Sequence, residues 1–152
     1  MDRILGISDR ANAAMHALAL ASARGGTISA TEAAAELSVS PSYLGKVLQA
    51  MTKSGILSSS RGAAGGFTLE REASTLSCRE VLECLDGSLP ERDCLFAVAV
   101  CQKGSCAFSG FCAETAQRLA ALLERTSVSD IAACFDTGQA CENAPPPRAS
   151  RR

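Results

Sequence analysis

The stretch from Ser29 to Leu69 limits the fold more than any other part of the chain, because it sets two short helices and a glycine-rich hairpin in immediate succession. Ser29-Ala30-Thr31-Glu32 has the form of a capping box: the serine hydroxyl takes the amide of the residue three on, and the glutamate reaches back to the serine amide. Ala33, Ala34 and Leu37 then give a short helix. Ser40-Pro41 starts the next one, since serine caps the free amides and proline has no N–H to lose at the first helical position. Leu44, Val47, Leu48 and Met51 recur at helical spacing, and Ser54-Gly55 ends the run. Residues 56–60 and 67–69 read as paired strands. Between them Arg61-Gly62-Ala63-Ala64-Gly65-Gly66 supplies a tip with three glycines for positive φ. Two helices across a tight turn, the second longer, with a hairpin directly behind, make a winged helix-turn-helix.

The flanks are helical too. Ser8 is a plausible cap for a helix over 6–23, with Ile7, Ala11, Ala14, Met15, Leu18 and Ala21 on an amphipathic stripe. A helix over 77–85 stops at Asp86-Gly87. Residues 88–112 keep no period. A long helix over 113–126 carries Ala116, Leu119, Leu123 and Thr126 on one side, and a short one follows over 129–135. The expected architecture is mainly α with a small β-hairpin wing: a winged head at 1–76, a cysteine loop with dimerisation helices at 77–135, and a disordered tail at 136–152. The tail is rich in proline and arginine.

Charge is distributed unevenly. Residues 1–71 carry a net +2, residues 72–142 a net −6 and residues 143–152 a net +3. A basic head beside an acidic second half suits contact with phosphates. With no run of 18 apolar residues, a membrane span is not expected. The charged start at Asp2, Arg3, Asp9 and Arg10 does not resemble an export signal, so a cytoplasmic location is expected. One histidine, no nucleophile elbow and no phosphate loop argue against an enzyme.

The predicted partner is a double-stranded DNA operator. The first turns of the second helix would present Ser40, Ser42, Tyr43 and Lys46 to base edges and phosphates. Arg61, at the foot of a thin tip built on Gly62, Gly65 and Gly66, suits the narrow minor groove of A·T-rich DNA. Lys53 reads as a surface lysine.

Eight cysteines are many for a chain expected in a reducing compartment, where clustered thiols bind metal or sense redox state. Cys101, Cys106 and Cys112 form a C-x4-C-x5-C run with Gly104 and Gly110 between them. Thiolates are the soft ligands selected by iron-sulfur clusters and zinc, and the spacing is that of neither a ferredoxin nor a zinc finger. Cys94 is a fourth thiol in the same loop. Cys78, Cys84 and Cys134 read as small buried side chains. Cys141 has no assigned role, and His16 reads as a packed or surface histidine.

Ser42-Tyr43-Leu44, the wing Ser60-Arg61-Gly62-Ala63-Ala64-Gly65-Gly66-Phe67 and the three-cysteine run before a long helix resemble one family over about residues 4–132. It is the bacterial winged-helix iron-sulfur repressors of the IscR, NsrR and RirA type. The resemblance implies a homodimer, with the helix after the cysteines crossing its partner. It also implies an iron-sulfur cluster on Cys101, Cys106 and Cys112 that senses nitric oxide, redox state or iron. The fourth ligand is either Cys94 or Asp9 of the partner subunit. The four-residue first spacer leaves 2Fe-2S and 4Fe-4S both open. Gly45 and Lys46 replace the acid and amide of the iron-sulfur cluster regulator, so its operator does not transfer. Two rivals stand beside this reading: a metal-free thiol-disulfide switch on the same DNA-binding head, and an iron-sulfur carrier with no DNA role.

Overall fold

A computed structural model of the protein describes residues 7–62, 65–89 and 108–136. Its elements are α1 (Asp9–Ala23), β1 (Thr27–Ile28), α2 (Ala30–Glu36), α3 (Pro41–Lys53), β2 (Leu57–Ser60), β3 (Gly66–Leu69), a 3₁₀ turn (Ala73–Thr75), α4 (Cys78–Asp86), α5 (Ser109–Arg125) and α6 (Val128–Asp136).

Serines start the first four helices. Ser8 Oγ accepts the Ala11 N–H at 3.0 Å, Ser40 Oγ that of Tyr43 at 3.2 Å, and Ser77 Oγ that of Glu80 at 3.2 Å. At Ser29 the capping box is complete: its Oγ accepts the Glu32 N–H at 3.1 Å, and Glu32 accepts the Ser29 N–H at 3.2 Å. Each cap satisfies an amide that a helix otherwise leaves open. At the other end of α4, Gly87 takes φ +78, a left-handed value that suits the residue after a helix.

The hairpin gains a third strand. β1 pairs antiparallel with β3, so the sheet order is β1-β3-β2, with Ile28 opposite Phe67 and Ser60 opposite Gly66. A two-residue strand leaves no alternating pattern, which is why the sequence did not signal it.

α1 is more central than an amphipathic surface helix. Nine of its residues, from Ala11 to Ala21, are buried, and it packs against α3, α4, α6 and the sheet. Its alanines let those neighbours approach closely. Leu18, Leu44, Leu48, Met51, Leu76, Leu82, Val81 and Val128 are fully buried in one core. Each contributes about 1.5–3 kcal/mol of apolar burial. Residues from the winged region and from α4 and α6 share that core.

The start of α4 lies beside the end of α5. Cys78 N–H donates to the Thr126 carbonyl at 2.8 Å, Val128 N–H to the Leu76 carbonyl at 2.9 Å, and Arg79 pairs with Glu124 at 3.3 Å. α5 starts at Ser109, one turn before the sequence expectation.

Leu123 is buried and Leu119 packs against the core, because that side of α5 lies on its own protomer. The exposed large apolar residues described on and just before α5 are Phe108, Phe111 and Leu122, with Phe111 65 % exposed. Phe111 and Leu122 are eleven residues apart, about three turns, so they share a face roughly a quarter-turn from Leu123.

Candidate nucleic-acid interface and cysteine centre

Helix α3 is held from behind. Leu44, Val47, Leu48 and Met51 anchor α3 in the core, leaving Ser40, Ser42, Tyr43 and Lys46 exposed together over its first two turns. Ser40 spends its oxygen on the Tyr43 N–H, which leaves the hydroxyl proton able to donate to a phosphate. Lys53 is exposed at the opposite end of α3.

Arg61 is exposed at the foot of the wing. The nearby glycines serve the hairpin itself. A Cβ on Gly65 would lie 2.6 Å from the Ser60 carbonyl oxygen and 2.9 Å from that of Gly62; one on Gly66 would lie 2.9 Å from the Ile28 carbonyl oxygen. Gly62 takes φ +118 and accepts the Gly65 N–H at 2.9 Å. These positions keep the tip thin beside Arg61. Ala63 and Ala64 lie outside the described residues.

A groove of about 470 Å³ opens between α1 and the helix-turn-helix, lined by Asp9, Asn12, Ala13, His16, Leu37, Val39 and Tyr43. Asp9, Asn12 and His16 recur at three and four residues along α1, which puts them on one face. His16 Nδ1–H donates to the Asn12 carbonyl at 2.8 Å, and its ring meets Phe135 edge-on with centroids 6.3 Å apart. It is thus a packed histidine, as expected. Partial burial pushes the Tyr43 phenol above its ordinary value; the Asp9 carboxylate acts in the same direction, Arg10 opposes it, and Asp86 adds to the rise. The groove was missed in the sequence because its walls come from separate helices.

Asp9 is exposed in the first turn of α1. Its neighbours are fixed: the Asp86 carboxylate accepts the Ser8 N–H and pairs with Arg10, while Arg10 also donates to the Leu85 carbonyl. Asp86-Gly87 had been read only as a helix stop.

Cys112 lies at the start of α5, 9 % exposed, its N–H donating to the Phe108 carbonyl at 2.9 Å. Among the described residues, Phe108 at this helix start makes no side-chain cap hydrogen bond. A buried thiol at the head of a long helix, where the cysteine run ends, is of the donor type that iron-sulfur clusters take. Cys94, Cys101, Cys106 and Cys141 lie outside the described residues. Among the described residues no three His, Cys, Asp or Glu side chains converge. Cys78 is buried as expected. Cys84 and Cys134 are exposed, contrary to the expectation of core packing: Cys84 falls off the Cys78-Val81-Leu82 face of α4, and Cys134 lies off the Val128-Ala132 face of α6. The Cys134 thiol donates to the Asp130 carbonyl at 3.5 Å.

Two capped helices across a tight turn, the second anchored in the core, and a thin glycine-containing wing define a winged-helix fold. The chain belongs to the Rrf2 family, described as an iron-dependent transcriptional regulator, which matches residues 7–134. The family is one of DNA-binding regulators, not enzymes. The chain is 29% identical over 94 residues to the HTH-type transcriptional regulator IscR of Klebsiella pneumoniae, covering 61% of this chain and 57% of that protein. It is 38% identical over 61 residues to the HTH-type regulator YffB of Lactococcus lactis, covering 40% and 39% respectively. It thus spans less than two thirds of these relatives. The fold is similar to CymR, the global cysteine regulator of B. subtilis, with a TM-score of 0.70, 20% identity and coverage of 88% and 98%. It is also similar to IscR of T. potens, with a TM-score of 0.65, 20% identity and coverage of 88% and 91%. Among the described residues no helix is long and apolar enough to cross a membrane.

Proposed function

We propose that this transcriptional regulator binds its operator as a homodimer and acts as a repressor whose DNA affinity depends on an iron-sulfur cluster. Cys101, Cys106 and Cys112 would hold the cluster, with Cys94 or Asp9 of the partner subunit as fourth ligand. The single observation that carries this reading is the placement of Cys112: buried, in the first turns of α5, where the three-cysteine run enters that long helix. When bound, the cluster supplies reactivity toward nitric oxide, oxygen or iron loss.

The chain's own residues do the rest. Cys112 ties the cysteine run to α5, and α5 is fastened to α4 through Arg79 and Glu124. Asp86 at the end of α4 holds the first turn of α1, whose Asp9 faces the groove beside Tyr43. Engaged thiolates would therefore bias the spacing of two reading helices across the dimer. Binding requires those helices to match half-sites about one helical turn apart, so the bias acts as a population shift. Ser40, Ser42, Tyr43 and Lys46 would read the major groove, and Arg61 the minor groove.

A combined Cys101→Ser, Cys106→Ser and Cys112→Ser variant tests the coupling. Its DNA affinity should stay the same with or without iron and sulfide, while wild type should shift by about 5–150-fold, the usual span of allosteric coupling. A wild-type affinity indifferent to reconstitution counts against the coupling.

A metal-free thiol switch is the second reading, favoured by the exposed thiols of Cys84 and Cys134. It requires DNA affinity that follows peroxide in colourless protein.

A further inference from the structure

We propose that the groove between α1 and the helix-turn-helix is a binding site for a small organic amine, taken up as its ammonium ion. Its volume of about 470 Å³ falls within the range of small-molecule clefts. The walls come from three parts of the chain: Asp9, Asn12 and His16 on α1, Leu37 and Val39 between α2 and α3, and Tyr43 on α3. Leu37 and Val39 pack against the core, so they give the groove a firm apolar floor.

The polar groups select positive charge. Among the described residues the Asp9 carboxylate makes no hydrogen bond or ion pair, since Arg10 beside it is taken up by Asp86 and the Leu85 carbonyl. His16 Nδ1–H donates to the Asn12 carbonyl at 2.8 Å, which leaves Nε2 of the neutral ring as an acceptor. A carboxylate and an imidazole acceptor in one groove call for N–H donors, and charged donors bind them most strongly. Tyr43 adds an aromatic ring, whose face attracts cations. An ammonium group would be held by Asp9, His16 and Tyr43, and a short aliphatic body would lie on Leu37 and Val39. A cluster that takes Asp9 as fourth ligand would use the same carboxylate, so the amine and such a cluster exclude each other. Resting on the DNA-binding reading above, an amine held against Tyr43 also withdraws that side chain from the duplex and weakens DNA binding.

The chain has one histidine and one tyrosine, and both line the groove, so their ring protons report on the site in NMR spectra. Butylammonium is titrated into full-length, cluster-free protein at about pH 8, where an ordinary imidazole is neutral and an alkylammonium is charged. Butyrate at equal salt is the control. The His16 and Tyr43 resonances should move together and saturate with butylammonium, and stay in place with butyrate. Asp9→Asn, at an exposed position, should weaken the binding about fivefold, the upper end for an exposed ion pair. Resonances that stay in place, that move equally with butyrate, or that saturate unchanged in Asp9→Asn overturn the site. Fluorescence anisotropy with a labelled duplex reads the coupling: saturating butylammonium should lower the DNA affinity at least about fivefold, the low end of allosteric coupling. Unchanged DNA affinity with the groove saturated overturns the coupling and upholds the site. Protein that binds no duplex overturns the DNA-binding reading and leaves the amine site to the NMR titration.

Discussion

Asp86, the last residue of α4, grips Arg10 in the first turn of α1, carboxylate to guanidinium at 3.3 Å. The same carboxylate accepts the Ser8 N–H at 3.3 Å, and Arg10 also covers the Leu85 carbonyl at the end of α4. One residue thereby locks the start of the central helix to the last turn before Gly87. The Asp86 side chain is only 9 % exposed, so water does not replace these contacts easily.

Asp86→Ala should cost about 1–3 kcal/mol, the penalty for leaving the Ser8 amide and Arg10 without their acceptor. Arg10→Ala should cost less, because its side chain is half exposed and such pairs are screened. Urea unfolding of the two variants checks the order.

Gly45 sits inside α3, and a Cβ there would meet only the Ala30 Cβ, at 4.0 Å. That is ordinary contact. Gly45→Ala should raise stability by about 0.5–1 kcal/mol by removing the cost of glycine in a helix. Thermal unfolding is the check, and a lower midpoint would mean the site is tighter than the geometry indicates.

Two capping carboxylates set an acid limit. Glu32 is held below its ordinary value by the Ser29 hydroxyl and then the Ser29 amide, and Asp130 by the Ser127 amide and then its hydroxyl. Both are depressed in the folded state, so the unfolded chain takes up the protons first. Their contribution is present above the unfolded values of about 4.5 and 3.8 and is lost as pH falls through the folded ones. Urea midpoints measured between about pH 5 and 3 should decline less steeply in Ser29→Ala/Ser127→Ala than in wild type.

The thiols should separate by reactivity. Burial, and then the Asp130 charge, pushes the Cys78 thiol up, and the residue is 2 % exposed. Cys84 is exposed on the same helix. Iodoacetamide at neutral pH should label Cys84 in the native protein and Cys78 only after unfolding, as read by peptide mass spectrometry.

Much of this was legible in the sequence because serine caps act locally. Ser8, Ser29 and Ser40 each announce a helix through the three residues that follow. Pairings between distant segments leave no such mark. Thr27 and Ile28 become a strand only because β3 lies alongside, and Leu123 is buried only because α5 lies on α4. Cys84 and Cys134 were misread because a cysteine in a short helix satisfies either face until the neighbours are placed. The exposure of Ser40, Ser42, Tyr43 and Lys46 on one end of α3 was legible from its helical spacing alone. The Asp9-His16-Tyr43 groove and the Asp86 grip needed three dimensions.

The most direct test of the account is the visible absorption spectrum of the protein after anaerobic reconstitution with iron and sulfide, with both elements quantified. The account predicts a brown protein with broad absorption that the combined Cys101→Ser, Cys106→Ser and Cys112→Ser variant lacks. Colourless wild type without bound iron or sulfide would contradict it.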